Sequence, residues 1–314
     1  MTGGAGFIGS HLVSALLGAG AEVVVLDDFS NGGWDNLSNP SVAKGLVVKK
    51  GDVRDRAAVT RALDGVETVF HLAASASVQA GSRDPASMMS VNLDGTKVVL
   101  ECSLGSSVER FLFASSAAIY GNASPPLNES LPSAPISTYG RSKLAGEELC
   151  LRALRESGLK TIVLRYFNVY GPRQRSSTEA GVVTKFAVSL SRGEGPTVYG
   201  TGEQTRDFVH VKDVVEANVV ASGHPAAEGK VYNVGTGIPT SVNELLRIES
   251  ALFQVPERLK VKYEGPREGD IQESFAEVGL ISRDLGFSPK VGLEEGLRGY
   301  VKWYLGQGRS RKSG

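Results

Sequence analysis

The chain has 314 residues, of which 34 are basic and 34 acidic, so its formal net charge is zero. That balance gives no electrostatic footprint for nucleic acid or for a membrane surface. Cys102 and Cys150 lie far apart, with no CxxC pair and no His/Cys cluster, which argues against a metal site or a disulfide framework. We find no signal peptide and no apolar run long enough to cross a bilayer, and therefore expect a cytoplasmic protein.

The chain opens with "MTGGAGFIGSH", in which Gly3, Gly6 and Gly9 have the spacing of a turn between a buried strand and a helix. An amphipathic pattern over residues 7–17 supplies the helix. Only two residues precede the first glycine, so the strand that normally carries this turn is expected to be missing.

Apolar runs and amphipathic stretches then alternate along the first half of the chain. Strands are predicted for "EVVVLD", "GLVVKK", "ETVFHLA", "ERFLFASS" and "KTIVLRYFN", and helices for residues 54–63, 85–102 and 139–157. Runs of this composition are typical of parallel strands that helices cover on both faces. The alternation predicts an α/β fold with a Rossmann-like, doubly wound parallel sheet over residues 1–165.

The pattern changes after about residue 165, where loops containing Gly and Pro become frequent, as in "GPRQRSS" and "YEGPREGDI". We predict that residues 166–314 form mainly a smaller lobe that binds the substrate. The segment "KVYNVGTG" is expected to return to the first lobe.

The glycine turn points a helix N-terminus at the place where a pyrophosphate would bind. The strand "EVVVLDD" ends in Asp27 and Asp28, where an acid accepts hydrogen bonds from the adenosine ribose hydroxyls and repels a 2′-phosphate. NAD is therefore favoured over NADP, although Asp27 also suits a turn cap. Asp52, after the next strand, is equally suited to an adenine contact and to a turn cap.

Three residues suggest the chemistry. Tyr139 and Lys143 in "YGRSK" lie four positions apart at a helix start, so both side chains share one face. A nearby ammonium lowers the pKa of a tyrosine, which can then act as a general base toward an alcohol. Ser116 ends the strand "RFLFASS" at the carboxyl edge of the sheet, where ligands bind in such folds.

These segments, with "VNLDGT", "FASSAAIYG", "RYFNVYGPRQ", "TRDFVHVKDVV" and "PREGDI", resemble the extended short-chain dehydrogenase/reductase family in order over nearly the whole chain. The closest resemblance is to its NAD-dependent UDP-glucose 4-epimerase branch. That branch inverts C4 of a UDP-hexose through a 4-keto intermediate, usually as a homodimer.

The resemblance implies the roles of individual residues. The catalytic set is Ser116, Tyr139 and Lys143. The cofactor contacts are Gly3, Gly6, Phe7, Ile8, Gly9, Asp27, Asp28, Asp52, Val53, Leu72, Ala73, Ala74, Asn92, Tyr139, Lys143 and Tyr166. The substrate contacts are Ser116, Tyr139, Asn168, Arg206, Arg267 and Asp270. A strand-end histidine with apolar neighbours, such as His71, is more often structural than catalytic.

Sister reactions of the family remain alternatives. The 4,6-dehydratases carry Asp-Glu after the serine or threonine, where this chain has Ala117 and Ala118, and methyl groups cannot transfer protons. A UDP-glucuronate decarboxylase begins with the same C4 oxidation and stays open. A non-catalytic nucleotide sensor typically lacks the Tyr or the Lys, which this chain retains. The resemblance implies that Ser274, four residues after Asp270, faces the sugar's C2 substituent, where a small side chain would leave room for an N-acetyl group.

Relatives in the family have a short apolar strand before the glycine turn, in the middle of the sheet. In this chain its place lies between the strands that end at Asp27 and His71. Each backbone group left unpaired there would cost about 1–3 kcal/mol. A gene start upstream of Met1 is therefore our preferred interpretation.

Overall fold

The computed structural model describes residues 1–38, 44–76, 78–175, 181–256, 259–266 and 269–310, apart from the side chains at 78–80 and 308–310. The strands are β1 (Val23–Asp27), β2 (Leu46–Lys50), β3 (Thr68–His71), β4 (Arg110–Ser116), β5 (Lys160–Tyr166), β6 (Asn168–Tyr170), β7 (Thr197–Tyr199), β8 (Thr205–His210), β9 (Val231–Val234), β10 (Pro239–Ser241), β11 (Lys262–Glu264) and β12 (Glu273–Ser274). The helices are α1 (Phe7–Gly18), α2 (Arg56–Ala62), α3 (Val78–Arg83), α4 (Pro85–Met89), α5 (Gly95–Leu104), α6 (Thr138–Ser157), α7 (Val182–Ser191), α8 (Val211–Gly223), α9 (Val242–Leu252), α10 (Gly279–Leu285) and α11 (Leu293–Ser310).

The main sheet consists of two parallel pieces, with strand orders β1-β2 and β3-β4-β5-β9. Its strands are rich in Val, Leu and Phe because helices cover both faces. Helices α1, α8 and α10 contribute to the core on one face, and α2, α5 and α6 to the core on the other. The predicted α/β class with a parallel, doubly wound sheet is confirmed.

Met1 and Thr2 join the two pieces of this sheet. The Thr2 N–H donates to the Phe70 carbonyl at 3.0 Å, and the Leu26 N–H donates to the Met1 carbonyl at 2.9 Å. Thr2 forms isolated parallel bridges with Leu26 and with His71. The place expected for the missing strand, between the strands ending at Asp27 and His71, is therefore filled here by these two residues. An apolar pocket in the same gap is lined by Val24, Leu26, Val59, Ala62, Leu63, Val66, Val69 and Val99.

The remaining strands and the core shared by α7, α9 and α11 are called the second lobe below. A small sheet joins β6, β8, β10 and β12, and β7 pairs with β11. Phe186, Leu245 and Tyr300 belong to a core that α7, α9 and α11 share. Strand β9, within "KVYNVGTG", pairs in parallel with β5 and so belongs to the main sheet.

The helix predicted over residues 85–102 occurs as three consecutive segments. Helix α4 passes into a π-helical turn over Ser90–Asp94, and α5 continues from it. Such single π-helical turns are frequent at functional sites because they turn a side chain away from the regular helix face. Here the turn contains Asn92, which is buried.

The core of the second lobe contains one carboxyl group of unusual environment. Glu249 on α9 is 0% exposed, and neither carboxyl oxygen has a hydrogen-bond partner within the described part of the chain. Burial raises the pKa of Glu249 well above its ordinary value. The carboxyl group is consequently neutral in the folded protein around the pH at which it ionises in the unfolded chain.

We expect this group to make the folded protein less stable as the pH rises. With a raised folded-state pKa, its stabilising contribution is fully present below the unfolded pKa and is lost as the pH rises towards the folded pKa, by up to about 1.4 kcal/mol per pH unit. Urea unfolding of wild type and Glu249→Gln at pH 5 and pH 8 measures the effect. The wild type should lose stability between these pH values and the variant should lose less. Equal losses in the two proteins would contradict the assignment.

Candidate active site

The glycine turn forms a cradle at the N-terminus of α1. Gly3 has a φ of +70°, and a Cβ there would lie 2.7 Å from the Ala73 nitrogen, while a Cβ on Gly9 would collide with the Gly3 carbonyl. Gly6 is the N-cap, no side chain caps the helix, and its first turn contains no acidic residue. The N–H groups of this turn and the positive end of the helix dipole suit a pyrophosphate. The residues present therefore fit the phosphates of a dinucleotide.

Asp27 connects this turn to the end of β1. Its carboxylate accepts hydrogen bonds from the Ala5 N–H at 2.9 Å and from the Phe29 N–H at 2.8 Å, and burial raises its pKa. Asp28 is more exposed and accepts from the Ser30 N–H and hydroxyl. Asp27 thus serves as the turn cap considered above, and a contact of either carboxylate with a ribose stays a prediction.

Asp52 caps its own turn as well. It accepts from the Arg54 N–H at 2.8 Å and from the Arg54 Nε at 2.9 Å, and the hydrogen bond from this guanidinium lowers the pKa of Asp52. The structure shows the turn-cap contacts, and the adenine contact stays a prediction. Val53, the next residue, has a buried side chain in the core, so any cofactor contact falls to its backbone.

His71 at the end of β3 is structural. Its ring is buried, with Nδ1 at 2.7 Å from the Thr2 hydroxyl and Nε2 at 2.9 Å from the Thr96 hydroxyl. Because the Thr96 hydroxyl donates to the Asn92 carbonyl, we assign the ring proton to Nε2. Burial lowers the pKa of His71 to about 3, so the ring is neutral.

Asn92 fixes the segment that follows β3. Its Oδ1 accepts from the Ser75 N–H at 2.7 Å, and its Nδ2 donates to the Ser75 carbonyl at 3.0 Å and to the Ser142 hydroxyl at 2.9 Å. Asn92 therefore ties α6 to the residues just after Leu72–Ala74. The cofactor contacts predicted for Asn92 and for Leu72, Ala73 and Ala74 stay predictions.

The three predicted catalytic residues come together. Ser116 ends β4, and Tyr139 lies in the first turn of α6, whose N-terminus is capped by Ser137. The Ser116 side chain lies close enough to the Tyr139 phenol to oppose the rise that burial causes in the pKa of Tyr139. The Lys143 ammonium lies 5.8 Å from the centroid of the Tyr139 ring and donates to the Ala114 carbonyl at 2.7 Å.

The prediction of a lowered pKa for Tyr139 is wrong. Burial raises the pKa of Tyr139, and the hydrogen bond from Ser116 only partly opposes this rise. Burial also lowers the pKa of Lys143 to about 8. Desolvation of the phenolate thus dominates the pKa of Tyr139, and the Lys143 ammonium donates its hydrogen bond to the Ala114 carbonyl.

Tyr166, a predicted cofactor contact, uses its side chain within the fold. It is buried, and its hydroxyl donates to the Asn218 Oδ1 on α8 at 2.9 Å. Burial raises its pKa above that of an ordinary tyrosine. A contact between Tyr166 and the cofactor stays a prediction.

Three predicted substrate residues lie together in the second lobe. Arg206 on β8 donates to the Asp270 carboxylate at 2.7 Å, and Asn168 on the neighbouring β6 donates to the Asp207 carbonyl at 3.2 Å. Ser274 is paired in register with Arg206 across β12 and β8, and it is buried. Arg267 lies outside the described residues. The predicted contacts with UDP stay predictions.

Sequence reasoning missed three buried charged residues around this site. Asp207, adjacent to Arg206, is 0% exposed and accepts from the Thr236 N–H, the Thr236 hydroxyl, the Gly237 N–H and the Ala276 N–H at 2.6–3.1 Å. Glu147 and Arg165 form a buried ion pair at 2.8 Å behind Ser116. The spacing Tyr139, Lys143, Glu147 was the available signal, because positions four apart share a helix face.

No helix among the described residues combines the length and apolar character that crossing a membrane requires. No cluster of His, Cys, Asp and Glu side chains among them is arranged to hold a metal ion.

The chain matches a known protein family and is similar to several solved structures. Residues 1–235 match the model of the NAD dependent epimerase/dehydratase family. The chain is similar to the UDP-glucose 4-epimerase of Thermotoga maritima, solved with UDP-glucose, at 40% identity and a TM-score of 0.92 over 98% of each chain. It also resembles the Thermus thermophilus UDP-glucose 4-epimerase solved with NAD, at 38% identity and a TM-score of 0.88 over 97% of this chain and 98% of that one.

A third similar structure has an N-acetylated ligand. The UDP-N-acetylglucosamine 4-epimerase of Methanobrevibacter ruminantium, in complex with UDP-N-acetylmuramic acid, is 36% identical with a TM-score of 0.92 over 98% of this chain and 97% of that one. The family match covers well over half of the sequence, and the structural similarity spans both lobes. The chain therefore belongs to the NAD dependent epimerase/dehydratase family.

Proposed function

We propose that this protein is an NAD-dependent epimerase that inverts C4 of a UDP-hexose, interconverting UDP-glucose and UDP-galactose through a 4-keto intermediate. The observation that carries the proposal is the contact of Ser116 with Tyr139 beside Lys143, at the sheet edge where ligands bind in such folds. The similar proteins solved with UDP-glucose and with NAD support the choice of substrate and cofactor.

NAD would be held by the cradle and by the residues that line the first lobe. The turn from Gly3 to Gly9 suits its pyrophosphate, and Asp27 lies at the strand end where an adenosine ribose binds in such folds. When bound, NAD supplies reversible hydride exchange at the sugar C4, so the reaction has no net oxidation. Lys143, which lies beside Tyr139, would hold the nicotinamide ribose.

Tyr139 transfers the proton of the sugar C4 hydroxyl, and Ser116 assists it. Tyr139 takes the proton of the C4 hydroxyl and returns one after the sugar has presented its other face. Ser116 stabilises the phenolate, because its hydroxyl donates to that oxygen and lowers the pKa that burial raises. Asn168, Arg206, Arg267 and Asp270 are proposed to hold UDP, which lets the sugar turn while the nucleotide stays bound.

The sister reactions receive less support. Ala117 and Ala118 directly follow Ser116 in a short 3₁₀ helix and offer no group for the proton transfers of a 4,6-dehydratase. A decarboxylase would share the C4 oxidation but release CO₂ from a uronic acid.

The test is proton NMR of UDP-galactose incubated with the purified chain and NAD⁺. We expect the anomeric signal of UDP-glucose to appear without net formation of NADH. No conversion of this sugar, together with CO₂ release from a UDP-uronic acid, would overturn the epimerase and favour the decarboxylase. Persistent NADH in proportion to substrate would instead indicate a dehydrogenase.

We further propose that the small side chain of Ser274 lets the enzyme accept an N-acetylated UDP-hexose. Ser274 is paired with Arg206 in register, which puts it beside the proposed diphosphate contact. We expect Ser274→Tyr to lower kcat/KM for UDP-N-acetylglucosamine about 10- to 100-fold while changing that for UDP-glucose much less, because an added ring occupies the space of the acetyl group. Ser274→Ala is the matched control. Equal turnover of both sugars by Ser274→Tyr would contradict this.

The oligomeric state and the location are also proposals. We propose a homodimer through α5 and α6, since Leu104 is exposed and Val98 and Leu149 are only partly buried on these helices. Sedimentation of the purified chain would test it, and a monomer at catalytic concentrations would overturn it.

We place the enzyme in the cytoplasm, where NAD and nucleotide sugars are available.

A further inference from the structure

A buried polar cluster lies directly behind the proposed catalytic residues. Glu147 is 2% exposed and follows Lys143 by one helical turn, as Lys143 follows Tyr139, so all three share a face of α6. The Arg165 guanidinium on β5 donates from Nε to Glu147 Oε1 at 3.0 Å and from Nη2 to Oε2 at 2.8 Å. The Ser115 hydroxyl donates to the same carboxylate.

The cluster occupies the row of the sheet next to the catalytic row. Ser115, Arg165 and Asn233 are paired across β4, β5 and β9, and Ser116 is paired with Tyr166 in the following row. The Glu147 carboxylate therefore fixes α6, which carries Tyr139, to the residue immediately before Ser116.

The same guanidinium reaches the other side of Ser116. Arg165 Nη1 donates at 2.9 Å to the hydroxyl of Tyr120, and this hydroxyl donates to the Asn233 Oδ1 at 2.7 Å. Tyr120 ends the 3₁₀ helix that begins directly after Ser116, and its ring lies 5.0 Å from the guanidinium carbon. Ser116 is thus flanked by two residues that the Glu147–Arg165 pair holds.

A buried ion pair of this kind needs a reason other than stability. The cost of removing two charges from water often equals or exceeds their attraction, so apolar residues of similar size frequently stabilise as well or better. Alignment of a site whose groups must be placed within a fraction of an ångström supplies such a reason.

We propose that Glu147 and Arg165 are positioning residues that hold Ser116, Tyr139 and Lys143 in their catalytic alignment. The proposal rests on the proposed epimerase function and names residues to which that function assigns no role. Glu147 and Arg165 are buried behind the reacting groups and act through Ser116 and α6.

Glu147 also affects the charge of Lys143. The groups that face this ammonium are the neutral His71 on β3, the Phe113 ring on β4 at 5.1 Å, and Tyr139, Cys150 and Glu147 on α6. Burial lowers the pKa of Lys143 to about 8, and the Cys150 and Glu147 side chains oppose that change. Removal of this carboxylate would leave the Arg165 cation without its counter-charge, which favours loss of the Lys143 proton.

The test is Glu147→Gln, which keeps the shape of the side chain and removes its charge. We expect kcat for UDP-galactose to fall about 100-fold with little change in KM, since misalignment affects the chemical step while the UDP contacts lie in the second lobe. The alkaline limb of the kcat profile should move to lower pH. Glu249→Gln is the matched control, a buried Glu→Gln change in the other lobe, and should leave the kcat profile unchanged.

Two further measurements separate positioning from folding and from the proposed function. The double variant Glu147→Met/Arg165→Met should fold with unchanged or higher stability, yet keep the low kcat. NMR titration of ¹³C-labelled Lys143 requires no turnover, and in Glu147→Gln its pKa should fall by about one unit. Wild-type kcat in either folded variant, or an unmoved Lys143 titration, overturns the proposal. If the proposed function itself is wrong, the wild-type protein will not interconvert UDP-glucose and UDP-galactose, which is a separate result.

Discussion

Tyr139→Phe should lower kcat for interconversion of UDP-glucose and UDP-galactose by about 10³- to 10⁴-fold, the range expected when a general acid–base group is lost. The variant keeps the ring beside Lys143 and removes only the hydroxyl that contacts Ser116. KM for the UDP-sugar should change little, because the proposed UDP contacts lie in the second lobe. Initial rates measured by NMR at saturating substrate provide the test.

The control is Tyr263→Phe, which removes a hydroxyl from an exposed tyrosine on β11 that donates to Asn243. This variant should retain wild-type kcat and stability. A kcat within tenfold of wild type in folded Tyr139→Phe would show that another group takes the C4 proton, and the mechanism proposed above would then be wrong.

Asp207→Asn should lower both the stability of the protein and its affinity for UDP. In the wild-type protein each oxygen of the Asp207 carboxylate accepts hydrogen bonds from two donors. In the variant an NH₂ group replaces one of these oxygens, so two donors lose their acceptor, and each unmet donor costs about 1–3 kcal/mol. For a chain of 314 residues, a loss of about 3 kcal/mol lowers Tm by roughly 4–5 °C. The altered segments include Arg206 and the strand of Ser274, so UDP should bind more weakly.

Asp213→Asn is the matched control. Asp213 is also buried and accepts two backbone N–H groups, from Lys290 and Val291, but these lie away from the predicted substrate contacts. Calorimetric titration with UDP below Tm compares the two variants. Asp213→Asn should lose stability and keep its UDP affinity. Unchanged UDP affinity in Asp207→Asn would leave Asp207 a purely structural role.

The first lobe was predictable because its signals are local. Periodic apolar runs gave the parallel strands and helices to within a few residues, and the glycine spacing identified the N-terminus of α1. Ser116, Tyr139 and Lys143 could be proposed together because the ends of parallel strands meet at one sheet edge.

What sequence could not give depends on contacts between distant segments. The pKa of Tyr139 was predicted in the wrong direction, since the extent of burial and the hydrogen bond of Lys143 to Ala114 arise only on packing. Asp207 acquires its four donors from two segments far along the chain, and Glu147 finds Arg165 across the sheet. The π-helical turn at Asn92 likewise follows from no local sequence pattern.

The backbone contacts of Met1 and Thr2 link the glycine turn to both pieces of the main sheet. Leu26 of β1 accepts from the Gly3 N–H and donates to the Met1 carbonyl, and the Thr2 N–H donates to Phe70 of β3, so separation of the β1–β2 piece from the rest of the sheet would break these bonds together. Separation of the β1–β2 piece would carry Asp27 away from the glycine turn, while the contact between Ser116 and Tyr139 would stay intact on the other piece of the sheet. Dinucleotide bound across these contacts would favour the closed form by mass action, so cofactor loss and local unfolding become one coupled equilibrium.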